Sequence, residues 1–154
     1  MRQNLTFSIM QSALPKPGDA QQTGQQTGDS MRVLLVDDYL DGLSVMEAYL
    51  TMKGFEVSTA INPVDAISVA GQFEPDVAIL DIGLPGMDGY ALAGVLRSQP
   101  RHANLRLFAL TGYGQSGDGN RAAAAGFERY FVKPIVLSDL AEALATPEGK
   151  RVGQ

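Results

Sequence analysis

Three short runs in this chain are apolar from end to end: VLLV (Val33 to Val36), VAIL (Val77 to Leu80) and LFAL (Leu107 to Leu110). Each has the length of a β-strand, and none alternates apolar with polar residues as a half-exposed strand does. A strand that is apolar on both faces must be covered on both, which is the condition of central strands in a parallel sheet. FEVSTA (residues 55–60) and YFV (Tyr130 to Val132) are also of strand length. Between these runs apolar residues recur at helical spacing. Leu43, Met46, Tyr49 and Leu50 mark a first helix, stopped by Gly54. Asn62 as N-cap and Pro63 at the first helical position open a second, with Ala66, Ile67 and Ala70 as its apolar face. A third is expected from about Tyr90 to Ser98 and a fourth from about Asn120 to Ala125, ending at Gly126. A fifth begins near Ser138 and buries Leu137, Leu140, Ala141 and Leu144. Five strands alternating with five helices predict an α/β fold: a doubly wound five-stranded parallel sheet with helices on both faces.

In such a sheet, ligands bind beyond the carboxyl ends of the strands. Asp37 and Asp38 follow VLLV, Asp81 follows VAIL, Thr111 follows LFAL and Lys133 follows YFV. Only the second strand ends without a chemical residue, in Thr59, Ala60 and Ile61. Alone, the Asp81 of AILDIGLPGMDG reads equally well as the cap of a turn, since Asp hydrogen-bonds nearby backbone. The convergence of three carboxylates, a hydroxyl and an ammonium on one sheet edge favours a functional site instead. Crowded carboxylates need a cation, and an all-oxygen donor set suits Mg²⁺ over zinc. Lys133 supplies a compact charge for a carboxylate or a phosphoryl oxygen. Carboxylates also act as nucleophiles through aspartyl-phosphate. Phosphoryl transfer to a metal-bound aspartate is the reaction these groups support.

Composition removes competing classes. With 12 basic and 17 acidic side chains the formal net charge is -5, and no Lys or Arg run stands out, which disfavours direct nucleic-acid binding. Without cysteine there are no disulfides, thiol nucleophiles or thiolate metal sites. The single His102, in SQPRHANLR, is expected in a loop. No run of about eighteen apolar residues spans a membrane, and LTFSIM is too short for a secretory signal. A cytoplasmic protein is the simple expectation. Residues 1–30 include PKPGDAQQTGQQTGDS and lack apolar periodicity, so they read as a flexible leader. The domain is expected over 31–146 and a short tail over 147–154.

From Met31 to about Ala145 the sequence resembles receiver domains of two-component response regulators, through VDD, LDIGLPGMDG, ALTG and VKP in that order. The resemblance implies a flavodoxin-like (βα)5 receiver fold and a phosphorelay switch rather than an enzyme, with only its own phosphorylation and dephosphorylation catalysed. It makes Asp81 the phosphoacceptor, and Asp37 and Asp38 the acid pair that holds Mg²⁺ together with Asp81 and the Gly83 carbonyl. Thr111 would bind the phosphoryl group and Lys133 would pair with it, while Tyr130 would be the switch aromatic that follows Thr111. The Lys133–Pro134 bond matches one that is cis in the family. The implied partners are a histidine kinase or histidine phosphotransfer protein and a downstream protein target. A phosphorylation-dependent dimer stays open.

Several positions depart from the commonest pattern. Gly83 leaves no side chain beside the acceptor, Tyr113 is bulky two residues past Thr111, and Tyr39 replaces a usual polar residue and is expected to pack at the start of the first helix. The signalling face would include Ala122 to Ala125, Tyr130 and Ala141. After Ala145 only TPEGKRVGQ remains, so output is expected through protein contacts or onward phosphotransfer. ALTGYGQ and AGFERYFVKP also resemble receivers of hybrid histidine kinases, which makes an excised hybrid-kinase receiver the close alternative. A metal-dependent aspartyl-phosphate phosphatase of the haloacid-dehalogenase type is the alternative from another class. That family places an acid two residues after its nucleophile, whereas Tyr39 and Leu40 stand at that distance from Asp37 and Asp38.

Overall fold

A computed structural model describes residues 30–112 and 118–147. Five strands, β1 (Arg32–Val36), β2 (Glu56–Ala60), β3 (Val77–Asp81), β4 (Arg106–Thr111) and β5 (Arg129–Val132), form one sheet in the order β2-β1-β3-β4-β5. Every pairing is parallel. The helices between and after them are α1 (Leu40–Met52), α2 (Pro63–Phe73), α3 (Gly89–Ser98), α4 (Asp118–Ala124) and α5 (Leu137–Ala145). The expected doubly wound architecture is therefore the observed one.

The apolar runs are explained by their two destinations. Leu34, Val36, Ala78, Leu80, Leu107 and Ala109 point to a core shared with Ala66 and Ala70 of α2 and Leu92, Ala93 and Leu96 of α3. Their neighbours Val33, Leu35, Val77, Ile79, Phe108 and Leu110 point the other way, to Leu43, Met46 and Leu50 of α1 and Leu140, Ala143 and Leu144 of α5. Side chains alternate across a strand, so only uniform apolarity satisfies both cores.

Local chemistry sets the helix limits. The Asn62 side chain accepts a hydrogen bond from the Asp65 N–H at 2.8 Å, and Asp88 does the same for Ala91 at 2.9 Å. Such caps are worth about 1 kcal/mol each. Gly54 and Gly126 follow α1 and α4 at φ of 101° and 93°, where a side chain is disfavoured.

Some expectations need correction. His102 belongs to a single 3-10 turn, Pro100–His102, and is buried rather than carried on an open loop. In α5 the third buried residue is Ala143, while Leu137 and Ala141 are only partly covered. Ala122 faces the core and not a signalling surface, and α4 starts two residues before Asn120. The leader expected over 1–30, apart from Ser30, and Tyr113 lie outside the described residues.

The amino-terminal edge of the sheet is tied by two arginines. Arg106 makes two hydrogen bonds of 2.8 Å to the Glu128 carboxylate, with both side chains largely buried, and a third of 3.0 Å to the Thr146 carbonyl beyond α5. Arg32 donates from its backbone to Asp76 at 2.8 Å and from Nε to the Phe73 carbonyl at 2.8 Å.

Candidate functional site

At the carboxyl edge, β1 and β3 are neighbours with Val36 opposite Leu80, so Asp37 and Asp81 emerge side by side. Asp37, Asp38 and Asp81 can each bring a carboxylate oxygen within 4.8 Å of the others. Asp37 is 1% exposed and Asp81 6%, whereas Asp38 is open to solvent. Lys133 follows β5 and reaches back over the sheet, placing Nζ 3.0 Å from Asp37 and 3.4 Å from Asp81. Its main-chain N–H donates to the Thr111 carbonyl at 2.7 Å. This carries the lysine past β4, and the Lys133–Pro134 peptide that follows is cis.

The remaining carboxylate oxygens are held by backbone. Tyr39 N–H donates to Asp37 Oδ1 and Gly83 N–H to Asp81 Oδ1, both at 2.9 Å. Each aspartate thus closes a turn with the residue two positions on. The turn-cap and site readings of Asp81 are accordingly not rivals, because one oxygen caps and the other faces Lys133. The Tyr39 N–H is a part of the site that residue type does not announce. Its side chain, at the N-cap of α1, is 61% exposed, with its ring lying over Gly42.

Electrostatically the cluster is unbalanced. Three carboxylates and one ammonium leave a formal excess of two negative charges, and unit charges about 4 Å apart near a protein surface interact by roughly 4 kcal/mol. Burial raises the Asp81 pKa; the Gly83 N–H opposes this, the Asp37 charge adds to it, and Lys133 offsets only part. For Lys133, burial lowers the pKa, but its hydrogen bond to Asp37 and the charges of Asp37 and Asp81 outweigh burial and hold it above the usual range. The donor set is all oxygen and its excess charge equals that of one divalent ion, so these residues fit a hard cation such as Mg²⁺.

Thr111 ends β4 beside the cluster and is buried. Tyr130 pairs with Ala109, one strand over and two residues back from Thr111, and is 42% exposed. Gly83 is open, and a Cβ built there would lie 3.6 Å from Asp81 Oδ1. The structure therefore gathers Asp37, Asp38, Asp81 and Lys133 in one cluster, with Thr111 and Gly83 flanking it and Tyr130 farther along β5. Next to Lys133 runs a groove of about 410 Å³, lined mainly by Tyr39, Gly42, Val45, Met46, Ile135 and Leu137.

An acid cluster and a lysine at the carboxyl edge of a 2-1-3-4-5 parallel sheet define the class, and the family model for the response regulator receiver domain matches residues 33–145. The chain belongs to that family. It is 38% identical over 111 residues to the transcriptional regulatory protein PrrA of Mycobacterium leprae, covering 72% of this chain and 47% of PrrA. With the response regulator PleD of Caulobacter vibrioides it shares 33% identity over 106 residues, 69% of this chain and 23% of PleD. It thus spans less than half the length of these relatives. Among solved structures, the chemotaxis response regulator CheY4 of Vibrio cholerae superposes with a TM-score of 0.70 at 27% identity, covering 75% of this chain and 96% of CheY4. The receiver domain of sensor histidine kinase PA1611 from Pseudomonas aeruginosa gives 0.68 at 29% identity over 75% of this chain and 94% of its own, with a magnesium ion coordinated in its active-site cleft. Among the described residues no helix is long and apolar enough to cross a membrane.

Proposed function

We propose that this domain is a phosphorelay switch that takes a phosphoryl group onto Asp81 from a phosphohistidine of a histidine kinase or histidine phosphotransfer protein. The observation that carries the reading is the pairing of a buried Asp81 with Lys133 inside an acid cluster of matching excess charge. Asp37, Asp38, Asp81 and the Gly83 carbonyl would hold Mg²⁺. The bound ion supplies charge neutralisation for the approaching phosphoryl oxygens.

In the transfer an Asp81 oxygen attacks phosphorus, the P–N bond breaks, and the imidazole leaves with that electron pair. Asp81 is poised because Gly83 N–H holds Oδ1 and fixes the carboxylate plane. Lys133, held near Asp81 Oδ2, pairs with a phosphoryl oxygen once the new bond forms. The Thr111 hydroxyl donates to another, and Tyr130 on the neighbouring strand responds to that shift. Output then passes through protein contacts or onward phosphotransfer, and the domain turns over no external substrate. A protein donor is supported by the apolar groove that opens beside Lys133, since exposed apolar surface next to a site marks a contact face. The open position at Gly83 gives water a path to Asp81, so the lifetime of the phosphorylated state depends on the size of this residue.

Titration with beryllofluoride in the presence and absence of Mg²⁺ tests the reading by calorimetry. Mg²⁺-dependent, one-to-one binding is expected, and binding that ignores Mg²⁺ or survives Asp81→Ala would contradict it.

A further inference from the structure

α4 is thinly anchored. Among its described side chains only Ala122 is buried, and an arginine reaches from it across to another element. The Arg121 guanidinium lies 4.1 Å from the centre of the Tyr90 ring, and its Nη2 is 3.8 Å from Asp88 Oδ2. The edge of the Tyr90–Phe127 contact completes the joint: the rings meet in a T at 6.0 Å and 86°, and the Phe127 N–H returns to the Ala122 carbonyl at 2.9 Å. α4 is therefore clasped to the start of α3.

That start rests directly on the backbone of Asp81. Asp88 caps α3 through Ala91, and Gly89 N–H donates to the Ile82 carbonyl at 3.1 Å. A Cβ on Gly89 would fall 2.7 Å from the Asp81 carbonyl oxygen and 2.8 Å from Ile82 Cα, a spacing with no slack. Contacts thus run without a gap from the Asp81 backbone through Gly89, Asp88 and Tyr90 to Arg121 and α4.

We propose that Arg121 is a positioning residue for the Asp81 site, coupling α4 to the segment after β3 so that ligation of Asp81 and the placement of α4 bias one another. Coupling of this kind is reciprocal: whatever the site does to α4, loosening α4 does to the site. The proposal rests on the reading of Asp81 as acceptor for its functional half, while the clamp itself can be tested without any ligand. Arg121 is well exposed, at 65% of its side-chain surface, so its removal leaves both cores intact.

Hydrogen exchange on the full chain, comparing wild type, Arg121→Ala and Arg121→Lys with and without beryllofluoride and Mg²⁺, tests both halves. Without ligand, amides of residues 120–127 should exchange about two- to fivefold faster in Arg121→Ala, the range for losing one exposed cation–π contact. Arg121→Lys keeps the charge but not the planar stack and should fall between. The beryllofluoride dissociation constant should shift by about twofold or more, and the ligand-induced change in exchange over 120–127 should shrink. Unchanged exchange in Arg121→Ala would refute the clamp. Faster exchange with the same dissociation constant and the same ligand response would reduce Arg121 to a structural contact and overturn the coupling. A wild-type chain that binds no beryllofluoride would overturn the acceptor reading, and the coupling with it.

Discussion

The two edges of this sheet carry the same kinds of residue in opposite states. Arg32 and Asp37 lie at the two ends of β1, Asp76 and Asp81 frame β3, Arg106 and Thr111 bound β4, and Glu128 and Lys133 flank β5. At the amino-terminal edge Arg106 is forked onto Glu128, and Arg32 pairs with Glu56 at 3.8 Å while its Nε and main-chain N–H hold the Phe73 carbonyl and Asp76. At the carboxyl edge one lysine serves two buried carboxylates while a third stands nearby. The difference teaches where stability and chemistry reside. Satisfied charges lock strands together, whereas a cluster with excess negative charge holds free energy that a cation can release.

Substitutions should separate the two edges. The largest effect is expected from Asp81→Asn, which should abolish phosphoryl uptake while the fold remains, as intact mass and circular dichroism can check. Next is Glu128→Ala. It removes the carboxylate that neutralises the buried Arg106 guanidinium and should cost about 3–5 kcal/mol of stability, read by urea unfolding, with Mg²⁺-dependent ligand binding at the far edge retained in the fraction that folds. Lys133→Ala is expected to slow phosphorylation by small donors by about 10- to 100-fold, matching roughly 1.4–2.7 kcal/mol of lost charge stabilisation. Retention of the wild-type rate would remove Lys133 from the site's work.

A smaller effect belongs to the carboxyl edge alone. The folded-state pKa of Asp81 is raised, so the folded chain binds this proton more tightly than the unfolded chain. Stability from this group is therefore fully present below the unfolded value near 3.8 and is lost as pH rises through the raised folded value. At neutral pH without Mg²⁺, Asp81→Asn should accordingly be more stable than the wild type. The gap should close as pH falls through the acid range, and thermal melts between pH 4 and 8 measure it.

The carboxyl edge was far more legible in the sequence than the amino-terminal one. Asp37, Asp81, Thr111 and Lys133 each follow an apolar run directly, so a rule about strand ends finds them without knowing the sheet order. The Arg106–Glu128 fork leaves no such trace, because it depends on the β4–β5 register that sets Phe108 against Arg129. Helix faces were read only roughly. Ala122, Ala141 and Ala143 are chemically identical, and which of them is buried depends on helix rotation that periodicity in a short, alanine-rich stretch does not determine. His102 was misplaced because its burial comes from the 3-10 turn after α3, which its polar neighbours conceal.

The central claim is that the unbalanced carboxyl edge exists to take a phosphoryl group at Asp81. The most direct measurement is intact mass after incubation with acetyl phosphate, with and without Mg²⁺, for the wild type and Asp81→Asn. A single phosphoryl adduct that requires Mg²⁺ and disappears in the variant is the predicted result. An adduct that persists in Asp81→Asn, or none on a folded wild-type chain that binds Mg²⁺, would contradict the account.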